Sequence, residues 1–355
     1  MVNLTIIGAV LATTVILSSV GYYYWETRLE GDLVYGSEEF LAIPEVEIEI
    51  LGRSFEQDNG IILYPGNWNY KKYTTPFNGK CKERPYVVFM PGSYENAQDA
   101  LIAFRTHNQE FTIISGGHDY ECVSTGKAAV LNLQLLKEVT VDFEAGVVTV
   151  QAGARWRDVY PLIFDTGYEV MGGMCPSVGV SGFVLGGGFN WKLSPLYGSG
   201  AENVVEMKVV LENGPMVTMT RDNEYKDLMW GMLGAGGMNF GLALEYKLKL
   251  HPYPQLKYNW MEMKSRFSET NEKYPSLAEM IGTIKEWVKF FDERRPEDGY
   301  GGNTVYISRI GLAKDYNVYV SGVCRDCDWA EEVKEITDTR PLQETLYMNA
   351  EWSWG

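Results

Sequence analysis

The chain has 355 residues, 45% of them apolar and 22% charged. That balance fits a globular protein and excludes a disordered one, and the length exceeds one ordinary core, so two domains are expected. With 31 basic and 47 acidic residues the net charge is −16; there is no basic stripe, which argues against a nucleic-acid partner because phosphate binding requires one.

The first element is apolar. Leu4 to Trp25, LTIIGAVLATTVILSSVGYYYW, contains no charged side chain. It is long enough to cross a hydrocarbon core of about 30 Å, and Tyr22, Tyr23, Tyr24 and Trp25 resemble an interfacial aromatic belt. Residues 1–25 therefore read as a hydrophobic helix that anchors the chain in a membrane. A cleaved signal peptide competes, weakened by the absence of early Lys or Arg and of an A-x-A site; a buried helix is the third reading. The first two both imply the secretory pathway, with the product membrane-anchored or secreted.

Residues 26–79 form a mixed, poorly periodic lead-in. Beyond them the pattern sharpens. YVVFM (86–90) is a short buried strand closed by Pro91-Gly92. Ser93 caps a helix running to about His107, with Ala97, Ala100, Leu101 and Phe104 on one face. FTIIS (111–115) is the next strand, giving a strand–helix–strand unit. AAVLNL (128–133) and VTVD (139–142) follow, the latter in a hairpin with GVVTVQAG (146–153). WRDVYPLIFDTG reads as a short helix weakened by Pro161. Residues 172–190, GGMCPSVGVSGFVLGGGFN, are too glycine-dense for a helix and too apolar for a linker. Residues 204–219 form a hairpin turned at Asn213-Gly214. A helix, a second glycine loop (234–237) and a strand to Leu250 complete this part. Pro252 and Pro254 mark a boundary, beyond which SLAEMIGTIKEWVKFFDE (276–293) is an amphipathic helix, YNVYVSGV (316–323) a strand and WAEEVKEI (329–336) a second helix. Residues 253–355 thus read as a sheet with helices on one face.

Glycine loops carry chemistry because a missing Cβ lets backbone N–H groups approach a ligand, and successive N–H groups form an anion nest. SGGH (115–118) follows a strand but is neither a Rossmann fingerprint nor a P-loop, and alone it reads as a tight turn. Five cysteines, at 81, 122, 175, 324 and 327, are an odd number, so a complete disulfide framework is excluded. Cys324-Arg-Asp-Cys327 reads as a local turn that a disulfide would close in an oxidising compartment. Zinc there would need two further ligands, and no metal site is read.

Three motifs occur in order: SGGHDYECVSTG (115–126), GMCPSVGVSGFVLGGGF (173–189) and LMWGMLGAGGMNFGL (228–242). Together they resemble the FAD-linked oxidases of the vanillyl-alcohol-oxidase superfamily, most closely the berberine-bridge-enzyme-like branch, over about residues 74–252. The resemblance implies an α+β chain: a two-subdomain PCMH-type FAD-binding domain over 80–252, followed by an incomplete α+β substrate domain over 253–355, since relatives continue beyond the equivalent of Gly355.

It also implies roles for named residues. His118 stands where the family attaches flavin through its 8α-methyl group, and Cys175 where the bicovalent branch adds a bond at C6; imidazole and thiolate are nucleophiles suited to an electron-poor ring. Ser115, Gly116 and Gly117 would face the diphosphate, while Ser177, Val178, Gly179, Ser181 and Gly182 would run along flavin and diphosphate. A residue as small as Val178 leaves room for dioxygen, which points to an oxidase rather than a dehydrogenase. Tyr120 matches an active-site tyrosine of relatives and is the candidate catalytic residue. Phe189 departs from the tyrosine that relatives often place after the three glycines. The expected function is oxidation of an alcohol, sugar or small secondary metabolite by covalent FAD, with dioxygen reduced to hydrogen peroxide. The alternative is a membrane-anchored flavoprotein-like scaffold without turnover.

Overall fold

The computed structural model describes residues 34–36, 38–126, 128–190, 193–237, 239–252, 258–268, 270–293, 300–310, 315–325, 328–334, 336 and 344–351. The hydrophobic segment 1–25 lies outside these, as does Cys327. Among the described residues no helix is long and apolar enough to cross a membrane.

The fold is mixed α+β, in two compact units. One takes the chain up to Lys137 together with Val209–Val217 and Phe240–Leu244; the other comprises Glu138–Lys208, Thr218–Asn239 and the chain from Glu245 onward. In chain order the first stretch gives β1 (Val34–Tyr35), α1 (Glu45–Gln57), β2 (Ile61–Leu63), α2 (Tyr70–Thr74), β3 (Glu83–Arg84), β4 (Val87–Met90), α3 (Tyr94–Thr106), β5 (Phe111–Ile114) and β6 (Ala129–Asn132). A short parallel pair joins β1 to β3, and a four-stranded sheet has the order β2-β4-β6-β5. All four residues of β4 and of β6 are buried, as suits central strands of a sheet covered on both faces. The strand–helix–strand unit exists in connectivity, but β6 lies between its two strands and pairs parallel with each. Ser93 caps α3 as its sequence position suggests, its hydroxyl accepting from the Asn96 N–H at 3.1 Å.

The sequence expectation has no helix in the lead-in, where 64–80 reads as loop but contains α2, nor in the glycine-rich segment, and the structure has helices in both. The lead-in contains α1, thirteen residues long. Glu45 and Glu47 occupy its first turn, where the helix dipole favours anions, and Leu51 and Phe55, four apart, bury one face.

Residues 138–252 give β7 (Val139–Asp142), β8 (Val147–Gln151), α4 (Trp156–Ile163), β9 (Tyr168–Val170), α5 (Val180–Leu185), α6 (Ser194–Tyr197), β10 (Val204–Val210), β11 (Met216–Thr220), α7 (Lys226–Ala235) and β12 (Leu242–Pro252). Their sheet has the order β11-β10-β12-β8-β7, with β9 also on β12. Both expected hairpins form: β7 and β8 pair antiparallel from Val139↔Val150 to Asp142↔Val147, and Gly214 takes φ +104° in the turn between β10 and β11. The unexpected α5 lies inside the glycine-rich segment. Burial of Val180, Val184 and Leu185 outweighs the weak helix propensity of its glycine there.

The remaining elements are β13 (Tyr258–Ser268), α8 (Leu277–Asp292), β14 (Tyr300–Ile310), β15 (Asp315–Arg325), α9 (Trp329–Glu332) and β16 (Glu344–Glu351), with sheet order β14-β15-β13-β16. Met261, Met263 and Phe267 of β13 and Val318 and Val320 of β15 alternate onto one face, where they meet Trp287 and Phe291 of α8 and Trp329. The helices therefore cover one face, as expected. Each such fully buried side chain contributes about 1.5–3 kcal/mol. Ser276 and Glu279 form a capping box at the start of α8.

Candidate functional site

The histidine loop leaves the end of β5. Gly117 adopts φ +73°, a conformation costly for any residue with a Cβ, and this turn brings His118 out half-buried. The loop is held from one side by residues 77–81. The Phe77 N–H donates to the Gly117 carbonyl at 2.8 Å. The Phe77 ring stacks on the His118 imidazole, centroids 4.3 Å apart and planes 16° apart, and meets Tyr120 edge-on at 6.4 Å. The Asn78 amide donates to the Tyr120 carbonyl at 2.8 Å. A disulfide joins Cys81 to Cys122, with Cα atoms 5.3 Å apart. The other side of the loop closes on itself: the Asp119 carboxylate accepts from the Glu121 and Ser124 N–H groups at 2.9 and 2.7 Å. Tyr120 is 69% exposed. Ser115 and Gly116 are half-buried where the strand ends.

The cysteine loop follows β9 and is built without a covalent tie. Gly172 and Gly173 are buried against Trp156 and Tyr160, so closely that a Cβ on either would sit 2.6 Å from the Trp156 ring. The Tyr160 hydroxyl donates to the Gly173 carbonyl, and burial pushes that phenol well above its ordinary value. The Asn190 amide donates to the Gly172 carbonyl at 2.6 Å. Past the turn, the Arg157 N–H reaches the Pro176 carbonyl at 2.9 Å and the Trp156 N–H the Val178 carbonyl at 3.1 Å. These bonds lift Cys175 outward as a free, exposed thiol. Ser177 and Val178 are half-buried and Gly179 buried. The Ser181 hydroxyl is buried and donates to Tyr246 at 2.8 Å, so only its backbone is left to meet a ligand.

Next to α5 the surface is bare. The Gly236 N–H donates to the Leu185 carbonyl at 2.8 Å, which brings the second glycine loop against the end of that helix. A Cβ at Gly182, Gly187, Gly234, Gly236 or Gly237 would meet no atom within 4 Å. Backbone there is open to a flat or phosphorylated group. Phe189 beside it is 76% exposed.

A buried polar cluster supports the strand leading into the cysteine loop. His251 faces Glu169 across β12 and β9. Its ring stacks on Tyr197 at 3.9 Å and its Nε2 lies 2.6 Å from the Asn203 amide oxygen; Tyr197 donates to Glu169 at 2.5 Å. Burial, with Lys249 adding to it, holds His251 down to about 4.

Residues 85–220 match the family model of the FAD binding domain. This stretch is an FAD binding domain, similar to those of berberine-bridge-enzyme-like proteins. The chain is similar to berberine bridge enzyme-like 24 of Arabidopsis thaliana, 33% identical over 66% of this chain and 44% of the relative. Its fold is that of Physcomitrella patens BBE-like 1, with TM-score 0.71 and 19% identity, over 86% of this chain and 63% of that one. It is likewise that of Phl p 4.0202, a glucose dehydrogenase, with TM-score 0.65 and 23% identity over 83% and 58%; an isoleucine-to-valine variant of Phl p 4 is a glucose oxidase. The chain spans less than half the length of the curated relatives it matches.

The donor set suits FAD in this domain. One imidazole and one exposed thiol are nucleophiles of the kind that bond to flavin, and the open glycines leave backbone accessible to a ring and a diphosphate. The disulfide escaped sequence reasoning, because an odd cysteine count names no pair. Cys122 carries a local signal only in the structure, at φ +63°.

Proposed function

We infer that this chain holds FAD covalently, through His118 and through Cys175, and acts as an oxidase on an alcohol, sugar or small secondary metabolite. The observation that carries this reading is the pair of nucleophiles, each presented at the tip of a glycine-rich loop that the rest of the fold braces. When bound, FAD supplies two-electron chemistry, accepting hydride from a substrate carbon and passing the electrons to dioxygen. The residues have distinct tasks in it. Ser115, Gly116 and Gly117 offer backbone toward the diphosphate. Ser177, Val178, Gly179, Gly182 and the backbone of Ser181 line flavin and diphosphate. Tyr120, with its exposed phenol, meets substrate. Two links withdraw electron density from the ring and raise its power as an oxidant.

Val178 supports the oxidase over the dehydrogenase, because a small side chain leaves room for dioxygen; in Phl p 4, a glucose dehydrogenase, an isoleucine-to-valine variant is a glucose oxidase. The disulfide supports passage through an oxidising compartment, consistent with a secreted or membrane-anchored product. Phe189 favours the second reading, a scaffold that keeps flavin without turnover, since it has no hydroxyl to move a proton.

Denaturing the purified protein and measuring flavin absorbance on the polypeptide tests the attachment: flavin should stay bound, and His118→Ala and Cys175→Ala should each remove one link. Free flavin in the supernatant would sink the covalent reading. Bleaching of the bound flavin by a panel of sugars and alcohols, followed by peroxide release in air, separates the oxidase from the scaffold.

A further inference from the structure

We propose that residues 77–81 form a strap that sets the plane of the His118 ring for flavin attachment, with Phe77 as its positioning residue. This rests on reading His118 as an attachment point. Rotation about the last side-chain bond of a histidine is broad, so the torsion alone does not fix the plane of the imidazole. A ring nitrogen's lone pair lies in that plane, and bond formation depends on where the plane points. Phe77 restrains that plane by lying flat against the imidazole at 4.3 Å. It does so while 61% exposed, so core filling does not explain its placement.

Three further ties keep Phe77 there, each to a different residue of the histidine loop: its own N–H to Gly117, Asn78 to Tyr120, and the disulfide to Cys122. The strap thus grips the loop on both sides of His118. Attachment joins a His118 nitrogen to the flavin methyl carbon; one hydrogen leaves the methyl group and one the imidazole, and the two electrons and two protons reduce dioxygen to hydrogen peroxide. The strap takes no part in that exchange and acts only through the ring it orients.

Two readouts test this. In protein loaded with FAD, the growth of polypeptide-bound flavin is followed by absorbance after denaturation at intervals, in a Cys175→Ala background so that only the His118 link is counted. In flavin-free protein, acylation of His118 by diethyl pyrocarbonate is followed by peptide mass. Phe77→Ala should slow attachment by about tenfold or more and speed acylation of His118, while Phe77→Tyr restores both. Cys81→Ala/Cys122→Gly, in which glycine takes the φ of +63° without strain, should move both readouts in the same direction as Phe77→Ala. A wild-type rate of attachment or of acylation in Phe77→Ala overturns the strap, as does equal slowing in Phe77→Tyr. If the histidine-linked flavin persists in His118→Ala, the reading of His118 itself fails instead.

Discussion

The two loops proposed to hold the flavin are braced by opposite means. The histidine loop is gripped by a neighbouring segment through a disulfide, a ring stack and two hydrogen bonds, most of them near the surface. The cysteine loop has no covalent tie and is wedged from behind, its two glycines seated on Trp156 and Tyr160 with carbonyls taken up by Tyr160 and Asn190. A nucleophile that must remain a free thiol benefits from a brace without cysteine, since a nearby disulfide invites thiol exchange. An imidazole faces no such hazard. The contrast predicts that one loop answers to redox conditions and the other to packing.

The largest separation of the two should come from the disulfide. It closes 41 residues of sequence separation, and its loss in Cys81→Ala/Cys122→Gly should cost about 2–4 kcal/mol of stability. Denaturant unfolding measures the cost, and in flavin-free protein labelling of Cys175 by a thiol reagent should proceed unchanged. Faster labelling would mean that the braces are coupled. The converse change is Gly173→Ala. Its methyl group would lie 2.6 Å from the Trp156 indole nitrogen, in a site with no room to give, at a cost of about 1–3 kcal/mol. Here, again in flavin-free protein, Cys175 labelling should accelerate while His118 acylation stays as it was.

Much of this architecture was legible and some was not, for physical reasons. Except for β9, the strands and hairpins of residues 86–250 announce themselves by apolar runs and turn residues, and α8 by its period. Helix α1 did not, because EVEIEI alternates like a strand and becomes a helix only when Leu51 and Phe55 find a surface to cover. Helix α5 did not, because local glycine content argued against it and the burial that overrides it is tertiary. The insertion of β6 between β4 and β5 is a property of pairing, which no single segment encodes. At the candidate site, the motifs around the two proposed nucleophiles were legible and their braces were not. His118 and Cys175 sit in recognisable motifs, whereas Phe77, Cys81 and Asn190 act through contacts across long stretches of sequence.

Acid sharpens the comparison next. His251 is held at about 4 against an ordinary 6.5 by burial and Lys249, so between those values the unfolded chain takes up a proton that the folded one refuses. The stability that neutral His251 contributes is complete above about pH 6.5, is lost as pH falls toward 4, and falls no further from this cause below that; allowing for solvent access, about 2 kcal/mol is at stake. The residues around it are Glu169, on the strand that leads into the cysteine loop, and Tyr197 and Asn203, farther along the chain. Denaturant midpoints from pH 7.5 to 4 should therefore decline, and His251→Gln should flatten the decline. A slope unchanged in that variant would place the acid sensitivity elsewhere.

The smallest effect lies in the strap. Asn78 makes two bonds of different sense: its Nδ2 donates to the Tyr120 carbonyl at 2.8 Å, and its Oδ1 accepts from the Lys80 N–H at 3.1 Å. Asn78→Ala removes both and should cost about 1 kcal/mol, since such bonds exchange with water. Asn78→Asp keeps the acceptor for Lys80 but sets a carboxylate against the Tyr120 carbonyl. If the tie to Tyr120 is what matters to the loop, Asn78→Asp should be no more stable than Asn78→Ala by thermal unfolding, and both should loosen Tyr120. If Asn78→Asp instead unfolds with the wild type, the bond within the strap carries the effect, and the grip on the histidine loop reduces to Phe77 and the disulfide.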